Sequence, residues 1–262
     1  MGNLVSAFLI CLACCCLVML IVYLWAYRIK NAGVVDIFWA FNFSIISIIL
    51  YFLADGFGPR KLLICCMILI WSLRLGIYLL IRVGSHLNEE EGRYKKMREE
   101  WGLSANSKLF FFFQAQAFSN IYLSIPFFLI VFNKKGNLSM LEFIGAAVWA
   151  ISILGEAIAD AQLKNFKKNY LNKDKVCDVG LWHYSRHPNY FFESMIWVGY
   201  FLVALNADYG WLGILSPVTI ILLLFRVTGI PLTEQQAIRS KGDLYKEYQR
   251  TTSMFVPWFK KK

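Results

Sequence analysis

The chain has 262 residues, of which 58% are hydrophobic, 17% are aromatic and 17% are charged. Together with a mean hydropathy of +0.51, this composition excludes an ordinary soluble domain and favours a protein that is solvated by lipid. The net charge of +10 does not indicate a nucleic-acid partner, because no recognisable binding module accompanies it.

Continuous apolar stretches recur along the chain, each near the roughly 20 residues that a helix needs to span a bilayer. They predict an all-α, polytopic bundle of about seven transmembrane helices, forming one domain over residues 1–262. Barrel strands would show alternating polarity instead. In chain order the predicted spans are residues 4–27, 34–53, 61–82, 110–132, 139–163, 189–206 and 211–231.

The basic residues are distributed unequally between the two predicted sides of the membrane. One side receives Arg28 and Lys30, the loops 82–108 and 164–186, and the C-terminal tail, whereas the other receives only Arg60, Lys61, Lys134 and Lys135. Because basic loops are retained in the cytoplasm, we expect the N-terminus outside and the C-terminus inside.

Cysteine and histidine do not predict a metal site. Six of the seven cysteines lie inside apolar stretches, and Cys177 stands alone in a loop. His86, His183 and His187 are too few and too scattered for a His-rich metal centre.

Charged residues within the predicted spans are informative, because each is costly unless it is paired or faces a polar cavity. These residues are Asp36, Arg74, Glu156, Asp160 and Arg226. Glu156 and Asp160 share one helix face, which continues towards Lys164 and Lys167. This face could hold a hydroxyl- or amide-bearing ligand and a phosphate, or an arginine could simply neutralise the acids.

The densest polar segment is residues 180–193, with the sequence GLWHYSRHPNYFFE. Pro188 suits the first turn of a helix, so a helix N-terminus is predicted beside Arg186. That arrangement is a natural seat for an anionic group such as phosphate.

Residues 180–202, GLWHYSRHPNYFFESMIWVGYFL, resemble the signature of the uncharacterised membrane family grouped with the steroid 5-alpha-reductases. They are more distantly similar to sterol reductases and isoprenylcysteine carboxyl methyltransferases. Most of the chain takes part in the resemblance. The supporting segments are VDIFW from Val35, WSLRL from Trp71, Arg93-Tyr94, Glu156 with Asp160 and Lys167, TGIP from Thr228, and Tyr245 to Pro257.

The resemblance implies NADPH held by the C-terminal part, residues 110–262, and a lipid-facing substrate cavity formed by residues 1–109. No Gly-rich GxGxxG signature is present, so a Rossmann domain does not supply the nucleotide site. Motif positions that match the reductases are occupied by Asp160, Lys167, Asn189 and Glu193, and local chemistry adds Arg186, Tyr190 and Tyr248 as cofactor-binding candidates.

Three features depart from the family pattern. Phe192 stands where the signature usually has glycine, and Glu156 replaces an asparagine. The basic and histidine residues of the reductase tail have no clear counterpart in residues 233–241.

The expected activity is NADPH-dependent reduction of the carbon–carbon double bond of a steroid-like or isoprenoid enone. The reductases use an acid and a tyrosine as the proton-donor pair. Asp36 is the best acid candidate here, and Tyr94 or Tyr78 supplies the phenol.

Two alternatives remain open at this point: an S-adenosylmethionine-dependent methyltransferase of a lipid or prenylated substrate, and a non-catalytic lipid-binding or transport protein. The expected partners are a lipid-soluble small molecule and membrane lipids, with no obligatory protein partner. The expected location is an inner or plasma membrane in a bacterium, or the endoplasmic reticulum in a eukaryote.

Overall fold

The computed structural model describes residues 2–227 and 229–260. Within these ranges every regular element is a helix, which confirms the predicted all-α class. The α-helices are α1 (Gly2–Ile29), α2 (Val34–Leu53), α3 (Gly58–Gly84), α4 (Gly92–Trp101), α5 (Ala105–Leu123), α6 (Ile125–Val131), α7 (Met140–Lys168), α8 (Leu181–Tyr184), α9 (Pro188–Ala204), α10 (Leu215–Arg226), α11 (Ile230–Lys241) and α12 (Asp243–Thr251).

Five helices in the described ranges are long and apolar enough to cross a membrane. They are Asn3–Ile29, Val34–Leu53, Gly58–Gly84, Met140–Lys168 and Gly210–Lys241. The last of these candidate spans includes both α10 and α11. A bent pair, Gly92–Leu123 with Ile125–Val131, makes a sixth if it is counted as one span. The chain is therefore a multi-pass membrane protein with five or six candidate spans.

The predicted span 110–132 differs from a straight helix in a way that its sequence explains. The helix axis bends by 41° between α5 and α6. Ser124 lies at the break, and its hydroxyl donates to the carbonyl of Asn120 at 2.7 Å. Pro126, in the first turn of α6, cannot continue the hydrogen-bond ladder of α5.

The predicted span 189–206 corresponds to α9, which has 17 residues and a length of roughly 25 Å. It is shorter than the candidate spans, so a seventh crossing and the sidedness that depends on it stay predictions. The segment 211–231 falls within Gly210–Lys241, and Thr228 of its TGIP sequence lies outside the described residues.

The helices form two compact units. The first comprises the chain up to Leu138 together with Ala207–Gly210, and the second comprises Ser139–Asn206 and the chain from Trp211 onward. α5 and α6 belong to the first unit, in which they pack with α1, α2 and α3. The assignment of the two halves to substrate and cofactor stays a prediction.

The first unit has an aromatic core and buried polar pairs. Phe43 packs edge-on against Trp71, with ring centroids 5.1 Å apart. Asn42 donates to the Oδ1 of Asn120 at 2.9 Å. Such hydrogen bonds between helices satisfy polar groups that lipid cannot.

The second unit is built on the contact between α7 and α9. A capping box formed by Ser139 and Glu142 begins α7, and Pro188 occupies the first turn of α9. The two backbones lie close together where Gly145 faces Gly199, because a Cβ on Gly199 would lie 2.9 Å from the carbonyl oxygen of Gly145. Small residues permit such close packing of membrane helices.

Phe192, the departure from the family signature, is accommodated by a second glycine of α7. Its ring lies against Gly155, where a Cβ would be 2.5 Å from a ring carbon. The missing side chain at Gly155 therefore provides the space that the larger residue at position 192 requires.

Replacing Gly199 with alanine should loosen the contact between α7 and α9. Its new Cβ would meet backbone atoms of two successive turns of α7, the carbonyl oxygen of Gly145 at 2.9 Å and the amide nitrogen of Trp149 at 3.0 Å. Overpacking of this kind costs about 1–3 kcal/mol, and we expect a lower Tm for the purified protein in detergent. Gly84→Ala is the matched control, since nothing lies within 4 Å of the added atom. Equal Tm values for the two variants would contradict the proposed close contact.

Candidate functional site

The signature segment begins with a glycine that the backbone requires. Gly180 has φ of +58°, a left-handed conformation that side chains disfavour. A Cβ there would also overlap the side chain of Gln162, whose Oε1 accepts the amide of Leu181 at 2.9 Å. Trp182 then donates from its indole to the carbonyl of Ala159 at 2.9 Å. These bonds attach the signature segment to α7.

Arg186 is the centre of the segment. Its Nε donates to Glu234 at 2.7 Å, and its Nη1 donates to the carbonyls of Gln249 and Thr252 at 2.8 and 2.7 Å. Glu234 also accepts from His187 at 3.2 Å, if that imidazole nitrogen carries the proton. We call the segment 249–260, which comprises the last turn of α12 and the residues after it, the C-terminal tail. The guanidinium thus binds α11 and the C-terminal tail at the same time.

Further hydrogen bonds hold the tail against the signature segment. The amide of Arg186 donates to the carbonyl of Ser253 at 2.8 Å, and the hydroxyl of Ser185 donates to the carbonyl of Phe255 at 2.8 Å. Trp258 donates from its amide to the carbonyl of Tyr184 at 2.9 Å. The tail therefore forms part of the structure of this region.

Tyr248 belongs to the same network. Its hydroxyl donates to the carbonyls of Trp182 and Ser185. Burial, and secondarily the charge of Asp178, raise the pKa of Tyr248. The phenol is therefore protonated at neutral pH, and its proton is used in the internal bonds.

A cavity of about 660 Å³ lies in the second unit, and we call it the basic cavity. Its cationic lining residues are Lys167, Lys168, Lys173, Lys175, Arg186 and Lys241. Among the described residues that line it, none is aspartate or glutamate. A concentration of one charge sign in a concave surface attracts ligands of the opposite sign.

Most of these lysines lack a charged partner. Within residues 2–227 and 229–260, Lys167, Lys168, Lys173 and Lys175 form no ion pair. The fifth lysine, Lys241, donates to the carbonyl of Lys173 across the cavity. Their positive charge is therefore available to an anion.

Aromatic and thiol groups complete the walls of the basic cavity. The aromatic lining residues are Phe166, Tyr170, Trp182, Tyr245 and Tyr248. Cys177 also lines the cavity, and burial raises the pKa of its thiol to about 11. Cys177 is consequently a neutral thiol at physiological pH.

Three of the predicted cofactor-binding residues, Lys167, Arg186 and Tyr248, line the basic cavity. The other four do not. Asp160 accepts from Asn189 at 3.3 Å, and Glu193 accepts from the indole of Trp197 at 2.9 Å. The hydroxyls of Tyr190 and Thr233 are 3.3 Å apart.

The Asp160–Asn189 pair lies close to the cavity along the chain. Asp160 precedes the lining residue Leu163 by about one helical turn. The Oδ1 of Asn189 is buried and has no hydrogen-bond partner in the part of the chain that the structure describes. A buried acceptor without a hydrogen bond is energetically costly, so this amide oxygen is able to accept a hydrogen bond from a ligand.

The predicted proton-donor pair lies in the first unit. Tyr94 donates to Asp36 at 2.9 Å, and Arg93 binds the other oxygen of the same carboxylate. Arg82 approaches it to 4.0 Å. The sequence left the phenol open between Tyr94 and Tyr78, and the structure brings Tyr94 to Asp36.

Sequence reasoning missed several residues of the region. Lys168, Lys173, Lys175 and Lys241 resembled ordinary solvated lysines, because their convergence on one cavity depends on folding. The sequence contained only a weak indication of Glu234, which is the first acidic residue after the long apolar stretch 211–231. Its pairing with Arg186 joins residues 48 positions apart.

The long apolar helices and the open basic cavity define an integral multi-pass membrane protein with a polar pocket in its second unit. The sequence profile of the family described as protein of unknown function DUF1295 matches residues 22–252. The chain belongs to this family.

Comparison with known proteins finds a distant relative in Schizosaccharomyces pombe. That uncharacterised protein is 24% identical over 274 aligned residues, which cover 89% of this chain and 75% of the relative. No solved structure matches this chain significantly.

Removing the Arg186 side chain should release the C-terminal tail. Arg186→Ala leaves Glu234, whose side chain is 13% exposed, without its guanidinium and removes both bonds to tail carbonyls. Breaking a fully buried pair costs about 3–5 kcal/mol, and we expect a cost at or below the lower end of that range. We expect faster hydrogen exchange across residues 245–258 and a lower Tm. The control is Arg250→Ala, because Arg250 is exposed and pairs only locally with Glu247. Unchanged exchange in Arg186→Ala would refute the anchoring role.

Proposed function

We propose that this protein is a membrane-embedded, NADPH-dependent reductase that acts on the carbon–carbon double bond of a steroid-like or isoprenoid enone. The observation that carries the proposal is the basic cavity, with four lysines that form no ion pair among the described residues. The resemblance of residues 180–202 to the steroid 5-alpha-reductase signature supports the same activity.

The chemistry of the cavity fits a phosphorylated dinucleotide. Its volume of about 660 Å³ lies within the range of roughly 300–1,000 Å³ that small-molecule sites occupy. Lys167, Lys173 and Lys175 would bind phosphate groups as mobile point charges. The absence of carboxylates from the described lining favours NADPH, which carries an additional phosphate, over NADH.

Asn189 and Asp160 supply the directional contacts that lysines lack. The amide of Asn189 donates to Asp160, which fixes its orientation, and its buried Oδ1 remains as an acceptor. An oriented acceptor of this kind would bind an N–H or O–H group of the cofactor. Arg186 and Tyr248 contribute by holding the cavity wall in place.

NADPH would supply the hydride when bound, and the chain must supply a proton. We assign this proton to the hydroxyl of Tyr94, which would turn from Asp36, its acceptor at 2.9 Å, to the substrate carbonyl and would then be reprotonated from water. Arg93 stacks on the Tyr94 ring at 4.6 Å and also binds Asp36, so one cation positions both groups. A fixed phenol that polarises a substrate carbonyl is electrostatic and general-acid assistance.

The proposal also includes the predicted sidedness. With the C-terminus in the cytoplasm, the basic loops of the second unit face the soluble NADPH pool and anionic lipid head groups. The apolar substrate would come from the bilayer.

Cofactor binding is tested by thermal unfolding of the purified protein with NADPH and, separately, with S-adenosylmethionine. NADPH at about 100 times its Kd should raise Tm by on the order of 5–10 °C. Lys167→Ala, Asp160→Ala and Asn189→Ala should each weaken NADPH binding about tenfold or more, without preventing membrane insertion. Lys96→Ala, which removes an exposed lysine of α4, is the charge-matched control and should bind normally.

The alternatives give different outcomes in the same assay. Stabilisation by S-adenosylmethionine alone would replace the reductase by a methyltransferase. No response to either compound would defeat the cofactor proposal and favour a lipid-binding or transport protein. Normal NADPH affinity in Lys167→Ala, Asp160→Ala and Asn189→Ala would show that the site assignment is wrong.

The proton donor is tested with an enone that the wild-type protein reduces. Tyr94→Phe should lower kcat by about 10²–10⁴-fold, the usual contribution of a positioned acid, while NADPH affinity stays at the wild-type value. Tyr78→Phe is the matched control, because Tyr78 is the alternative phenol and lies on the exposed side of α3. A loss of kcat in Tyr78→Phe but not in Tyr94→Phe would reverse the assignment.

A further inference from the structure

A second cavity, of about 380 Å³, lies beside the C-terminal tail. We call it the tail cavity, and its lining consists of Arg186 and of residues of α12 and the tail between Gln249 and Phe259. Arg186 therefore lines both this cavity and the basic cavity. The sequence predicted an anion site beside Arg186, but it did not predict that residues 249–259 contribute to a cavity there.

Thr252, one of the residues that line the tail cavity, has a hydroxyl without a hydrogen-bond partner among the described residues. Thr252 is 2% exposed, and its backbone is fully used, since its amide donates to Tyr248 at 3.0 Å and its carbonyl accepts from Arg186 at 2.7 Å. Its Oγ1 is nevertheless buried without a hydrogen-bond partner among the described residues. A buried hydroxyl without a hydrogen bond costs about 1–3 kcal/mol, so a ligand that forms a hydrogen bond with it would recover that cost.

Arg186 contributes a positively charged group to the lining of the tail cavity. Its hydrogen bonds to Glu234 and to the tail carbonyls use Nε and Nη1. The remaining Nη2 would be shared between an anionic oxygen and the hydroxyl of Tyr245, which already forms a side-chain hydrogen bond with Arg186. Guanidinium groups favour phosphate and carboxylate ligands.

The mouth of the tail cavity is apolar and exposed. Trp258 and Phe259 are 69% and 74% exposed, and Met254 and Val256 also line the cavity while facing outward. Lys260 follows directly and pairs with Asp178 at 2.5 Å. Exposed aromatic side chains beside a lysine are typical of protein surfaces at the boundary between membrane and water.

We propose that the tail cavity binds a single-chain membrane amphiphile with an anionic head. The phosphate or carboxylate head would bind Arg186 and the Thr252 hydroxyl, and the hydrocarbon chain would lie along Trp258 and Phe259. This commits the site to a lipid, because its polar base and apolar rim reproduce the two ends of an amphiphile and because the protein resides in a membrane. The inference does not depend on the proposed reductase activity.

The test is thermal unfolding of the full-length protein in a mild detergent with lysophosphatidate as probe. Lysophosphatidate should raise Tm in a saturable way. Thr252→Val keeps the side-chain shape and removes only the hydroxyl, which makes no bond within the described structure, so this variant should fold normally and bind at least about tenfold more weakly. Thr252→Ser should retain binding, and Trp258→Ala should weaken it.

Two further compounds separate the head from the chain. Glycerol 3-phosphate has the head without the chain, and monoacylglycerol has the chain without the charge. Each should stabilise the protein much less than lysophosphatidate does. A full response to glycerol 3-phosphate would replace the lipid by a free phosphate ligand, and a full response to monoacylglycerol would remove the role of Arg186.

The decisive comparison is between wild type, Thr252→Val and Lys96→Ala. Lys96 is an exposed lysine of α4 that lines neither cavity, so its loss should leave the response to lysophosphatidate unchanged. An equal response in all three proteins, including Thr252→Val, would overturn the proposed site and attribute the stabilisation to a general detergent effect.

Discussion

The buried guanidinium of Arg186 organises the second unit. It joins the signature segment to Glu234 on α11 and to two carbonyls of the C-terminal tail. The planar guanidinium directs its donors at fixed angles from separate nitrogens, whereas a lysine ammonium offers a single nitrogen, so lysine is not an equivalent replacement. Both cavities share this residue as part of their lining. Their shapes therefore depend on the same set of hydrogen bonds.

A second constraint comes from the lipid environment, which allows polar groups only where they are paired or reach water. The second unit meets it by placing its lysines beyond the apolar part of α7, on the last turn and in the loop that follows. The first unit meets it differently, since Asp36 at the beginning of α2 is paired with Arg93 and Tyr94. Pairing of this kind is compatible with anchoring α4 and with catalysis. In the proposed activity, this arrangement positions the phenol that supplies the proton.

Glycines explain why this sequence tolerates its departure from the family signature. Phe192 needs space on the facing helix, and Gly155 provides it. Further along the same pair of helices, Gly145 and Gly199 bring the backbones together. The larger residue is thus accommodated by α7 itself. The signature segment alone does not reveal this compensation, because the compensating residue, Gly155, belongs to a different helix.

The sequence by itself determined the helical class, the bounds of α2 and the start of α9, because hydrophobic length and the position of Pro188 are local properties. It also selected Asp36, because charge is expensive in lipid, and Arg186, because it lies in the densest polar segment of the chain. Tertiary structure alone brought Tyr94 to Asp36, bent the segment 110–132, and gathered the lysines of the loop after α7 with Lys241 into one cavity. It also gave the C-terminal tail its role as a wall of the second cavity. These features depend on contacts between residues far apart in the chain, and no local pattern records which distant side chains meet.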